Sequence, residues 1–193
     1  MEKAQHRFVA AVAALLLLYG CATPVVPINF SVPNVGLSKK KIDAEVKSLT
    51  VTVAPANEAT GTQNINTAMV TPLWTSAMNE AFNKMAIFQD DAPMKVNVSV
   101  KILSFDPPSV GFSMTTKTSA RYEIVDRKSG DIIHTQDVSS SYTTPADFAF
   151  NARIRINDSI NHAVQDNIIQ FLQALESVDI RKPMFPAKTG ASK

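Results

Sequence analysis

The chain reads as an α+β domain, with two helices on one face of a roughly four-stranded, mainly antiparallel sheet in the order β-α-β-β-β-α. Three patterns predict it. Val96, Val98, Val100 and Ile102 alternate with Asn97, Ser99 and Lys101, the period of a strand with one wet face. Two stretches instead place apolar residues at three- and four-residue steps, the stripe of a helix lying on a sheet. Between two further alternating runs stands Arg127-Lys128-Ser129-Gly130-Asp131, a turn whose glycine is free to take positive φ, so those runs form a hairpin.

Taken in order, residues 22–46 read as a tether. Pro24, Pro27 and Pro33 break regular structure, while Gly36, Ser38 and Lys39-Lys40-Lys41 keep it solvated. Ile28, Phe30 and Val32 alternate with polar residues, which allows a short edge strand there. The lysine run reads as a solvated face, with contact to anionic head groups or phosphate as the alternative. In residues 49–55, Leu49, Val51 and Val53 share one side of a strand. After a polar loop over residues 56–66, Thr71-Pro72 opens a helix that runs to residue 88. Leu73, Trp74, Ala77, Met78, Ala81, Phe82 and Met85 form its stripe, read as core packing rather than a lipid groove.

Pro93 resets the chain before the strand of residues 96–102, and Asp106-Pro107-Pro108 ends that strand. The connection over residues 109–113 carries Val110 and Phe112. The hairpin strands follow at residues 114–126 and 132–142, with His134, Gln136, Val138, Ser140 and Tyr142 on one side of the second. A loop over residues 143–150 ends with Phe148 and Phe150. The closing helix spans residues 152–175, with Ile156, Ile160, Val164, Ile168, Phe171, Leu172 and Leu175 as its stripe. Beyond Ile180 the chain reads as a mobile tail.

Composition narrows the function classes. The 193 residues carry a net charge of +2 and 45% hydrophobic residues, without the concentrated basic face that a nucleic-acid partner requires. One cysteine excludes an internal disulfide, so the fold rests on its apolar core.

The N-terminus supplies an address. Lys3 and Arg7 precede an apolar run over residues 8–18, the form of a secretory signal and too short to span a bilayer. Leu18-Tyr19-Gly20-Cys21 closes that run and resembles the bacterial lipoprotein signal, in which a leucine three residues before the cysteine and a small residue just before it guide lipidation and cleavage. Cys21 is therefore expected to be a lipidation site. The resemblance implies a three-chain anchor, a diacylglyceryl thioether plus an N-acyl group such as palmitate. One acyl chain holds only marginally, whereas several hold almost permanently. Ala22 stands where an aspartate would resemble the inner-membrane retention signal, so the expected destination is the periplasmic face of the outer membrane. The expected organisation is a signal peptide over residues 1–20, lipidated cysteine and tether over 21–46, one α+β domain over 47–180 and a tail over 181–193.

Several segments together resemble the YajG-like outer-membrane lipoproteins. They are the cysteine signal at Cys21, the interrupted alternation Ile28-Asn29-Phe30-Ser31-Val32-Pro33, the strand Leu49-Thr50-Val51-Thr52-Val53, the hairpin over residues 116–142 and the closing helix. The element order is also similar to the lipopolysaccharide-assembly lipoprotein LptE and to auxiliary lipoproteins of lipid transport. The resemblance implies a non-catalytic protein that binds an envelope protein or lipid and attaches to the membrane through its anchor. It carries over no active-site residue.

The search for chemistry gives no catalytic residue, no metal site and no cofactor. His134 and His162 have no clustered cysteines or carboxylates around them in sequence. Ser139-Ser140-Ser141 lacks the strand-to-helix elbow of a hydrolase nucleophile and reads as a wet strand. An envelope hydrolase or transferase acting on glycan or lipid is the alternative, and it requires His134, Asp137, Glu123 and Arg121 to converge in a cleft. The candidate partner contacts are Val110, Phe112, Phe148 and Phe150, unless these side chains fold back over the core.

Overall fold

The computed structural model describes residues 26–185. The signal segment and Cys21 lie outside the described residues. Four strands, β1 (Ala44–Val53), β2 (Met94–Asp106), β3 (Met114–Asp126) and β4 (Ile132–Thr144), join two helices, α1 (Thr67–Met85) and α2 (Ala152–Leu175). The strands lie in the order β1-β2-β3-β4 in one sheet. Parallel pairing of β1 with β2 requires a crossover, and α1 is that crossover. The remaining pairs are antiparallel, with Val100 opposite Tyr122 and Tyr122 opposite Gln136.

One face of this sheet is apolar. Val96, Val98, Val100, Ile102, Ala120 and Tyr122 are fully buried there, beneath both helices. The helices meet over the sheet at Phe82 and Phe171, whose rings are 6.4 Å apart, and Phe171 stacks on Tyr122 at 4.2 Å. Trp74 is fully buried, as its place in the stripe predicts.

Helix α1 starts one turn before Thr71-Pro72, at Thr67, and ends at Met85 rather than residue 88. The extra turn buries Val70, and the Thr71 hydroxyl donates to the Thr67 carbonyl at 2.7 Å within it. Ala86 then takes a left-handed conformation, φ 45°, and its N–H closes the helix on the Phe82 carbonyl.

The largest departure from the sequence reading concerns residues 26–46, expected as a tether. Phe30 and Ala44 are fully buried and Val32 and Ile42 nearly so. Phe30 meets the Trp74 ring edge-on at 6.2 Å. Residues 28–32 form no strand, and their alternation reflects a chain laid along the groove between the helices. The first strand starts at Ala44, five residues before the expected Leu49. The domain therefore takes in residues expected to lie outside it. The tail departs likewise, because Phe185 pairs with Ile132 at the start of β4 through two backbone hydrogen bonds.

Replacing Trp74 or Phe30 by alanine is expected to cost roughly 3–5 kcal/mol each, read from urea unfolding. A tether would leave the Phe30→Ala protein as stable as the parent.

Candidate functional site

Asp106 pairs with Lys117 and Met114 with Thr144, so the β2–β3 loop and the β4–α2 loop leave the same end of the sheet. All four predicted contact residues sit there. Val110 is 86% exposed, Phe112 87%, Phe148 51% and Phe150 104%. None of them folds back over the core. The presentation is built into the backbone. Buried Arg155, in the first turn of α2, donates from one guanidinium nitrogen to the Phe150 carbonyl at 3.0 Å and to the Ala149 carbonyl. At the other loop tip Gly111 has φ +147°, a conformation side-chain-bearing residues rarely adopt. An open cleft of about 770 Å³ belongs to this end, lined by Val26, Phe148, Ala149, Phe150, Asn151, Ala152 and Ile154.

Val26 is held there by a ladder of amides on α2. Asn157 donates to the Val26 carbonyl at 2.7 Å, and Asn161 donates to the Pro27 carbonyl at 2.8 Å. The Asn161 side-chain oxygen accepts from the Asn29 N–H at 2.8 Å, and Gln165 donates to the Ser31 carbonyl at 3.0 Å. The spacing of four residues puts these amides on one face of the helix. They match the backbone groups of an extended segment that has no strand to pair with. Sequence reading missed them; the signal was the recurrence of amides at positions 157, 161 and 165 beside the apolar stripe.

The lysine run lies at the opposite end. Lys40 donates to the Val178 carbonyl, just past α2, and Lys41 donates to the Ala86 carbonyl at the end of α1. Both cations therefore meet carbonyls at helix C-termini, where the helix dipole favours positive charge.

The residues of the enzyme reading divide between the two faces of the sheet. Arg121 and Asp137 face solvent as a cross-strand pair, with two hydrogen bonds of 2.7 and 2.8 Å. The Arg121 hydrogen bonds hold the Asp137 carboxyl below its ordinary range. Glu123 lies on the same face within 3.5 Å of Ser99. His134 points the other way, toward the Phe171 ring at 6.2 Å, and burial pulls its pKa down against a raising hydrogen bond from Gln136. The sheet separates the imidazole from the three charged groups. Ser140 also points to the helices, donating to the Ala163 carbonyl at 2.7 Å. Among the described residues, no three His, Cys, Asp or Glu side chains are grouped to hold a metal ion, and no helix is long and apolar enough to cross a membrane.

No protein-family model and no curated protein matches this chain. Solved structures of bacterial proteins are similar to it. A DUF330 protein of Xanthomonas campestris is similar at a TM-score of 0.50 and 8% identity, covering 80% of this chain and 93% of that one. A minor lipoprotein of Acinetobacter baumannii gives 0.34 and 13%, covering 68% and 91%. Lipoprotein GNA1162 of Neisseria meningitidis gives 0.35 and 10%, covering 65% and 98%. At 8% identity the likeness to the Xanthomonas campestris protein is one of fold.

His134 generates a pH prediction. Its folded pKa lies below the unfolded value, so the unfolded chain binds the proton more readily. The resulting stabilisation is complete above the unfolded pKa of about 6.5 and is lost as pH falls below it. Thermal melts between about pH 7.5 and 5.5 are expected to show a falling Tm, and His134→Gln is expected to flatten that slope.

Proposed function

We propose that this protein is a membrane-anchored periplasmic lipoprotein, without catalytic activity, that binds a protein or lipid partner in cell-envelope assembly or transport. The observation that carries the reading is Leu18-Tyr19-Gly20-Cys21 at the end of a short apolar run. Cys21 is the point of lipid attachment, and the outer membrane is its expected location. Two features of the fold support a binding role. The ionisable groups of the enzyme reading lie on opposite faces of the sheet, and four large apolar side chains are held outward on two neighbouring loops.

Mass spectrometry of the full chain expressed in a Gram-negative host is expected to find an acylated Cys21 as the mature N-terminus. Cys21→Ser is expected to move the protein from the membrane fraction to the soluble periplasm. An unmodified thiol, or a mature start elsewhere, would overturn the proposal.

A further inference from the structure

The two loops at the exposed end contain Pro107-Pro108-Ser109-Val110-Gly111-Phe112-Ser113 and Pro145-Ala146-Asp147-Phe148-Ala149-Phe150-Asn151, with Asp147 as their one charged residue. Their apolar side chains are exposed while their backbones are fastened: Arg155 grips the Ala149 and Phe150 carbonyls, and the β3–β4 pairing reaches Met114 and Thr144 at the base. A loop that tolerated exposure only by accident would have little reason to be held in that way.

The decisive observation is the position of Val26, five residues after Cys21. The amide ladder on α2 fixes Val26 at this same end, lining the cleft with Phe148 and Phe150. Only Ala22, Thr23, Pro24 and Val25 separate Val26 from Cys21. Even fully extended, that stretch spans no more than about 18 Å. The charged end is far from it. β2 has 13 residues, so the Lys39-Lys40-Lys41 end stands roughly 40 Å away.

Resting on the reading that Cys21 is acylated, we propose that Val110, Phe112, Phe148 and Phe150 insert into the lipid bilayer surface beside the anchor. The body then stands on the membrane by the loop end of its sheet, with the lysine run directed into the periplasm. The occupant of the apolar end is lipid, because the tether is too short to let that end turn far from the bilayer, and aromatic side chains favour the zone between head groups and acyl chains. The loops limit how the protein can rotate about its anchor, and so choose which face it offers to a partner. The wet sheet face with Arg121 and Asp137 then stands upright and accessible.

The test uses the acylated full chain in phosphatidylethanolamine–phosphatidylglycerol vesicles, with or without brominated phosphatidylcholine. One tryptophan is added at a time: Phe150→Trp or Phe112→Trp at the loops, and Leu37→Trp at the opposite end, where Leu37 is 77% exposed. Trp74, fully buried, serves as the internal unquenched reference. Tryptophan at 150 and 112 is expected to emit at shorter wavelength and lose about half its intensity to brominated chains, while tryptophan at 37 keeps its intensity. Equal quenching at both ends, or none at 150, on a chain whose Cys21 is acylated would overturn the orientation and leave the lipoprotein reading standing. Emission at shorter wavelength without bromine quenching would assign the patch to a protein or a second copy, and would likewise overturn it. Absence of acyl groups on Cys21 would overturn both.

Discussion

The apolar face of β2 and β3 has to be covered, and the stacking of Phe171 on Tyr122 fixes how. A ring lying flat at 4.2 Å on a fully buried tyrosine sets the height and lateral position of α2. The Tyr122 hydroxyl then needs a partner in the dry interior, and donates to Asn167 on the same helix at 2.8 Å. Asn167 in turn donates to the Val138 carbonyl and the Ser140 hydroxyl of β4. Burial drives the tyrosine pKa upward and keeps it a neutral donor. Packing and hydrogen bonding thus fix the same rotation of α2, which neither would fix so tightly alone.

That rotation has a consequence on the far side of the helix. With the apolar stripe turned to the sheet, Asn157, Asn161 and Gln165 face the groove toward α1. There they receive the extended backbone of residues 26–31. Phe30 falls between them onto Trp74, so one segment satisfies polar groups with its backbone and fills the core with its side chain. The polarity of the molecule follows. Val26 lies beside the apolar loops, and at the opposite end Lys41 meets the carbonyl at the end of α1 and Lys40 one just past α2.

The solvent face of the sheet contributes modestly to stability. Its Arg121–Asp137 pair is well formed but open to water, where such pairs are worth about 0.2–1 kcal/mol. Its threonines, serines and paired charges keep the sheet soluble on one side. Nothing on that face draws the half-buried His134 into reach of the carboxylates, because strand residues of opposite parity lie on opposite faces.

Periodicity in the sequence determined the element order, the bounds of β3 and α2, the hairpin turn and the buried place of Trp74, since each depends on near neighbours alone. The exposure of Phe112 and Phe150 was legible as a possibility, and the alternative of burial was equally open. Tertiary structure alone decided three matters. It put residues 26–46 into the body, because a proline-broken stretch carries no sign of a groove whose second wall is a helix more than a hundred residues later. It extended α1 by a turn, because burial of Val70 draws helix beyond the local signal of Thr71-Pro72. It brought Val26, Phe148 and Phe150 to one end of the molecule, because proximity across such distances is set by strand pairing and helix rotation, and these leave no mark in any single segment of the chain.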